Sequence, residues 1–165
     1  MDRYSFIIAL RIIFAPLILV WPLQSIIVSF LLDVFDADVA HHKVSKKQYQ
    51  VIDKILDSWV FLFELLLAWK LFPDFQLILL ALFIWRMVGT IFFFINGYRW
   101  IFVIFGNYFE NVFFVLYFKN FLPNIKLETL LVFSFIVKII QEWFIHVAEL
   151  SIREDLFHSK RKWSK

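Results

Sequence analysis

Apolar residues recur in this chain in runs that a soluble protein of its size has no room to hide. Residues 5–32, 58–69, 77–95, 101–118 and 127–150 carry few charges. Crossing the hydrocarbon core of a bilayer takes about 20 apolar residues in a helix. Of the 165 residues, 62% are hydrophobic, with 23 Phe and 7 Trp. An average soluble domain is nearer roughly half apolar. A soluble helical protein built from these runs would have to bury almost every helix on all sides, which this length does not permit. The sequence therefore predicts an all-α, polytopic membrane protein. The first run is not expected to be a cleaved signal peptide, because it lacks a small-residue cleavage site and further membrane segments follow it. With no cysteine, disulfides and thiolate metal sites are excluded.

Breakers divide the runs. Pro22, Pro73, Pro123, Gly97 in "INGYR" and the polar stretch 41–50 make five breaks. They give six segments, 4–21, 23–40, 48–72, 75–96, 98–122 and 125–150. One set of segment ends carries Arg3, Lys43, Lys46, Lys47, Arg99, Arg153, Lys160, Arg161, Lys162 and Lys165, whereas the other carries Lys70, Lys119 and Lys126. Ten against three places both termini on the cytoplasmic side. Residues 1–165 read as one membrane-embedded domain. Residues 151–165, "SIREDLFHSKRKWSK", read as a basic cytoplasmic tail lying on anionic lipid rather than on nucleic acid. Trp21, Trp69, Trp100 and Trp143 fit lipid-facing and interfacial positions.

Against this background the aspartates in "LLDVFDADVAHH" stand out. Asp33 and Asp36 are three residues apart on segment two, and Asp53 and Asp57 four apart on segment three, so each pair shares a helix face. The two segments run antiparallel around a short loop, and both pairs lie a similar distance from it. The four carboxylates are expected to converge near the cytoplasmic surface. Bare carboxylates there would repel and would be costly to desolvate. Divalent cations remove that cost, and hard oxygen ligands suit Mg²⁺, Mn²⁺ or Ca²⁺. Two such ions about 4 Å apart suit phosphoryl chemistry. Asp38 points well away from the 33/36 face and reads as solvated.

Other polar residues leave alternatives open. Glu64 lies on nearly the face of Asp57 and either lines a cavity or pairs with Arg86. Arg86, inside an apolar run, needs water or an anionic partner, which is a lipid phosphate, an acidic acceptor or a structural partner. Asn107, Glu110 and Asn111 form a polar patch in segment five. Lys138, Glu142, His146 and Glu149 make one polar stripe on segment six, with Lys138–Glu142 and His146–Glu149 at salt-bridge spacing.

The run "DVFDADVAHHKVSKKQYQVIDKILD" resembles the signature of the CDP-alcohol phosphatidyltransferases, D-x-x-D-G-x-x-A-R followed by G-x-x-x-D-x-x-x-D. Asp33, Asp36, Asp53 and Asp57 match its four aspartates and Ala40 its alanine. Upstream, "IALRIIFAPLILV" resembles the family's first membrane helix through Arg11 and Pro16. Arg86 in "FIWRMVG" resembles an arginine of its fourth helix. The resemblance covers residues 8–60. Ala37 and Tyr49 stand where the family has glycines, His41 replaces its arginine, and the gap between the motif's halves is about one residue short. The resemblance implies a metal-dependent transfer of a phosphatidyl group from a CDP-linked lipid to a small alcohol or phosphorylated alcohol, with release of CMP. Two divalent ions, Mg²⁺ or Mn²⁺, would sit on Asp33, Asp36, Asp53 and Asp57. Asp57 would be the general base. Asp33, Ala37, Ala40 and His41 would meet the nucleotide, and Lys43 and Arg86 a phosphate of the lipid or acceptor. It also implies a homodimer in a prokaryotic cell membrane, with the site facing the cytoplasm. The replaced glycines and arginine support a second reading, an inactive descendant kept as a scaffold or lipid-binding module. A cation-coupled transporter is a third, and it would need carboxylates deeper in the bilayer.

Overall fold

The computed structural model describes residues 2–146, and among them the only regular structure is helix. The basic tail 151–165 and Glu149 lie outside the described residues, as does the side chain of His146. The described residues form two compact units, one ending at Leu67 and one beginning at Ala68.

In the first unit, helix α1 (Arg3–Leu17) opens at Asp2, whose carboxylate accepts the Ser5 N–H at 2.8 Å. That backbone donor holds the Asp2 carboxyl below its ordinary range. Tyr4, Arg11 and Ala15 are the buried residues of α1, and their spacing of 7 and 4 makes one stripe. Helix α2 (Pro22–Ala40) starts with proline at its first position, where the missing N–H costs nothing. Its buried face includes Ser25, Ser29, Ala37 and Ala40, small residues that let α1 pack closely along it. Helix α3 (Lys46–Leu71) begins after a reciprocal cap: Ser45 Oγ accepts the Gln48 N–H, and Gln48 Oε1 accepts the Ser45 N–H.

Segment one was expected to run to residue 21, but α1 ends at Leu17 with Pro16 inside its last turn. Proline has no N–H to give the carbonyl four residues back, that of Ile12. The indole of Trp59 on α3 donates to that carbonyl at 3.1 Å instead. A neighbouring helix thus satisfies the group that the proline orphans.

In the second unit, a short 3₁₀ turn, Pro73–Phe75, leads into α4 (Gln76–Asn96). Gly97 ends α4 at φ 72°, a left-handed position that suits glycine. The segment expected over 98–122 is not one helix. It breaks into a four-residue piece, α5 (Ile101–Ile104), and α6 (Tyr108–Phe118). The break orphans carbonyls that residues 108 and 109 would have bonded in a continuous helix, and side chains of α4 collect them. Trp85 Nε1 donates to Ile104 O at 3.2 Å and Arg86 Nη1 to Phe105 O at 3.0 Å. On the other side of the break, Asn107 Oδ1 accepts the Glu110 N–H, and the Asn107 N–H goes to Glu142 Oε1 at 3.2 Å. Glu142 lies on α7 (Leu127–His146) and is held by Lys138 at 3.1 Å. The chain at Phe105 lies so close to α4 that a Cβ at Gly89 would overlap the Phe105 side chain. Two stretches, Pro73–Asn96 and Ile101–Phe121, are long and apolar enough to cross a membrane.

Candidate metal centre

The four aspartates of the sequence pattern do converge, and a basic side chain stands among them. Arg11 reaches from the buried stripe of α1. Its Nη2 lies 2.9 Å from Asp33 Oδ1 and 2.8 Å from Asp57 Oδ1. Its Nη1 contacts Asp36 Oδ2 and lies 3.3 Å from Asp53 Oδ1. The i,i+3 and i,i+4 spacings bring both pairs to one place because α2 and α3 each turn their acidic face toward α1. Asp38, half-buried on α2, is not one of the four.

Burial grades the cluster. Arg11 and Asp36 are each 2% exposed, Asp53 and Asp57 13% and 14%, and Asp33 46%. Asp36 is the inner wall: Arg11 takes one of its oxygens, and the Tyr49 hydroxyl donates to the other at 2.6 Å. Asp33 is the open lip. Between them Lys54 Nζ bridges Asp53 Oδ2 and Asp57 Oδ2, 2.7 Å from each.

One carboxylate oxygen each from Asp33, Asp53 and Asp57 lie within 4.8 Å of one another, a grouping that can hold a metal ion. All donors are hard oxygens, as Mg²⁺, Mn²⁺ or Ca²⁺ prefer. The charge also fits. With every group ionised, four carboxylates, one guanidinium and one ammonium sum to a formal −4 + 2 = −2, which one divalent cation balances.

The remaining predicted residues fall as follows. Ala37 and Ala40 are buried on the face of α2 that carries Asp36. His41 caps the end of α2, its ring 3.6 Å from that of His42, and Lys43 is exposed in the following loop. Glu64 is buried on α3. Arg86 belongs to the second unit, where its Cζ lies 4.2 Å from the Phe102 ring centroid in addition to the bond to Phe105. Sequence reasoning did not place Arg11, Lys54 or the Tyr49–Asp36 bond in this cluster. The signal for Arg11 was present, since it is the one charged residue within 5–32, and such a residue calls for an acidic partner on a neighbouring helix. Comparison with protein-family models, with curated proteins and with solved structures finds no match for this chain.

Proposed function

We propose that this chain is a multi-pass membrane enzyme that transfers a phosphatidyl group from a CDP-linked lipid to an alcohol, using divalent cations held by Asp33, Asp53 and Asp57. The observation that carries this reading is the meeting of these carboxylates, from two different helices, at a half-open cluster in which acidic groups outnumber basic ones. With six spans and both termini in the cytoplasm, that cluster would lie beneath the inner head groups, where a lipid's diphosphate and a water-borne alcohol can meet. Large apolar side chains exposed on α4, such as Leu77 at 79% and Ile95 at 71%, suit contact with hydrocarbon.

When bound, divalent cations supply positive charge to the diphosphate oxygens. The chain's own residues do the rest. Asp57 takes the proton of the acceptor hydroxyl as its oxygen forms a bond to the lipid-side phosphorus, and the bond from that phosphorus to the CMP oxygen breaks. Both Asp57 oxygens are engaged, one by Arg11 and one by Lys54, so Lys54 must swing aside to free a proton-accepting oxygen. Lys54 is the mobile partner of the two: it is 17% exposed on a flexible stem, whereas Arg11 is fixed and buried. Asp36, closed in by Arg11 and Tyr49, holds the inner wall and keeps Arg11 in place.

One observation favours a second reading, an inactive scaffold that keeps the cluster as a structural knot. Tyr49 stands where the resembled family has glycine, and its side chain closes over Asp36 rather than leaving that space to a nucleotide. Purified protein in lipid, given CDP-diacylglycerol and a panel of alcohols, separates the two. CMP release that needs Mg²⁺ or Mn²⁺ and falls by roughly 10²–10⁴-fold in Asp57→Asn, with an unchanged melting temperature, supports the enzyme. Undiminished release in Asp57→Asn removes Asp57 as the base, and no release with any alcohol moves the chain to the scaffold.

A further inference from the structure

Two buried tyrosines interact with the acidic cluster, and only Tyr49 has a hydroxyl bonded within it. Tyr49 donates to Asp36 at 2.6 Å. Tyr4, on α1, lies on the same buried stripe as Arg11, two turns toward the N-terminus. It is 6% exposed, and its hydroxyl has no hydrogen-bond partner among the described residues. It stands within electrostatic reach of Asp36, Asp53 and Arg11. A buried hydroxyl without a partner is destabilising, and folded proteins rarely leave one so. The Asp36 and Asp53 carboxylates within that reach are already bonded to Arg11, Lys54 and Tyr49.

We infer that Tyr4 is a ligand-binding residue of this site, its hydroxyl reserved for a phosphate oxygen of the bound ligand. The inference rests on the phosphate-transfer reading and adds a residue that the resembled signature does not contain. A phenol hydroxyl donates, so its partner is an acceptor oxygen. An anionic oxygen cannot approach four carboxylates until cations have entered, so Tyr4 acts only on the cation-loaded site. Cation and phosphate therefore bind in order, and Tyr4 contributes to the second step alone.

The test is thermal melting of the full-length protein in detergent, for wild type, Tyr4→Phe and Tyr49→Phe, with four additions: Mg²⁺ alone, CDP alone, Mg²⁺ with CDP, and Mg²⁺ with pyrophosphate. Tyr4→Phe is expected to melt no lower than wild type without ligand, because it removes an unsatisfied group. Its stabilisation by Mg²⁺ alone should match wild type. Its affinity for CDP and for pyrophosphate, each in the presence of Mg²⁺, should weaken about tenfold or more, the worth of a hydrogen bond to a charged oxygen. Equal weakening for both probes assigns the contact to phosphate rather than to cytidine. Tyr49→Phe should instead lower the melting temperature without ligand, since its hydroxyl is already bonded. A Tyr4→Phe protein that melts several degrees low while binding both probes normally overturns the inference and leaves the enzymatic reading standing. A wild-type protein that no phosphate probe stabilises with Mg²⁺ overturns both.

Discussion

Replacing Arg11 with methionine is the sharpest perturbation available to the first unit. Methionine keeps most of the side chain's length and its apolar stem. The loss is a guanidinium that touches all four aspartates, with three of the contacts between 2.8 and 3.3 Å. Removing one partner of a buried ion pair costs about 3–5 kcal/mol, because the other charge is left uncompensated. Here the charge of the remaining groups goes from −2 to −4 + 1 = −3. A protein of this size has roughly 5–15 kcal/mol to lose, so Arg11→Met removes a large share. At about 2–4 °C per kcal/mol for a chain of this length, the melting temperature should fall by roughly 6–20 °C in a chelator. Divalent cations should then restore more stability to Arg11→Met than to wild type, since they meet a more negative cluster. Tryptophan fluorescence of the detergent-purified protein reads both effects, and exposed Lys70→Met serves as the control for loss of one positive charge. If Arg11→Met melts within a degree of that control in chelator, the guanidinium does not organise the carboxylates and the charge argument fails.

Two further outcomes follow from individual contacts. Lys54→Met removes the ammonium that lies 2.7 Å from both Asp53 and Asp57, so Mn²⁺ should bind about tenfold more tightly, or about 1.4 kcal/mol; calorimetric titration showing equal or weaker binding would count against Lys54 as the mobile partner. Trp59→Phe removes the donor to the carbonyl that Pro16 orphans, which should lower stability by about 0.5–1.5 kcal/mol in thermal unfolding, and Pro16→Ala in the same background should recover part of the loss by restoring an N–H inside α1.

Much of this architecture was legible from residue patterns, and the parts that were not have identifiable causes. Proline and glycine breaks marked the ends of α2 and α4 because each acts on its own backbone, as Pro22 and Gly97 do. The start of α3 was misplaced by two residues although "SKKQ" carries a capping box. The break between α5 and α6 was missed because Asn107, Glu110 and Asn111 were read as a polar patch on one continuous segment rather than as the cap of a new helix. A local signal existed in "NYFE", an asparagine cap with glutamate three residues on. What no local pattern could supply is the identity of the groups that heal the break, Trp85, Arg86 and Glu142, since they come from other helices. The convergence of the acidic pairs was readable because period and loop length determine it. The need of Arg11 for an acidic partner was readable too, but which carboxylates it meets was not, because that depends on how α1 rotates against α2.

The same physics that places these residues also separates structural charge from functional charge. Arg86 and Glu142 each answer a backbone group that the broken helix exposes, and their partners lie within their own unit. Their burial is explained by the fold alone, and substituting either one reports on stability first. The cluster around Arg11 differs in kind. No backbone group needs four carboxylates there, and four acidic groups face only two cationic ones, a formal excess of two negative charges. A knot built only for stability would gain by replacing aspartate with asparagine or leucine, since a buried ionic cluster is seldom worth more than a well-packed apolar one. Holding a net negative charge at a half-open site is a standing cost in stability. That cost has a physical rationale if the charge is there to bind a cation.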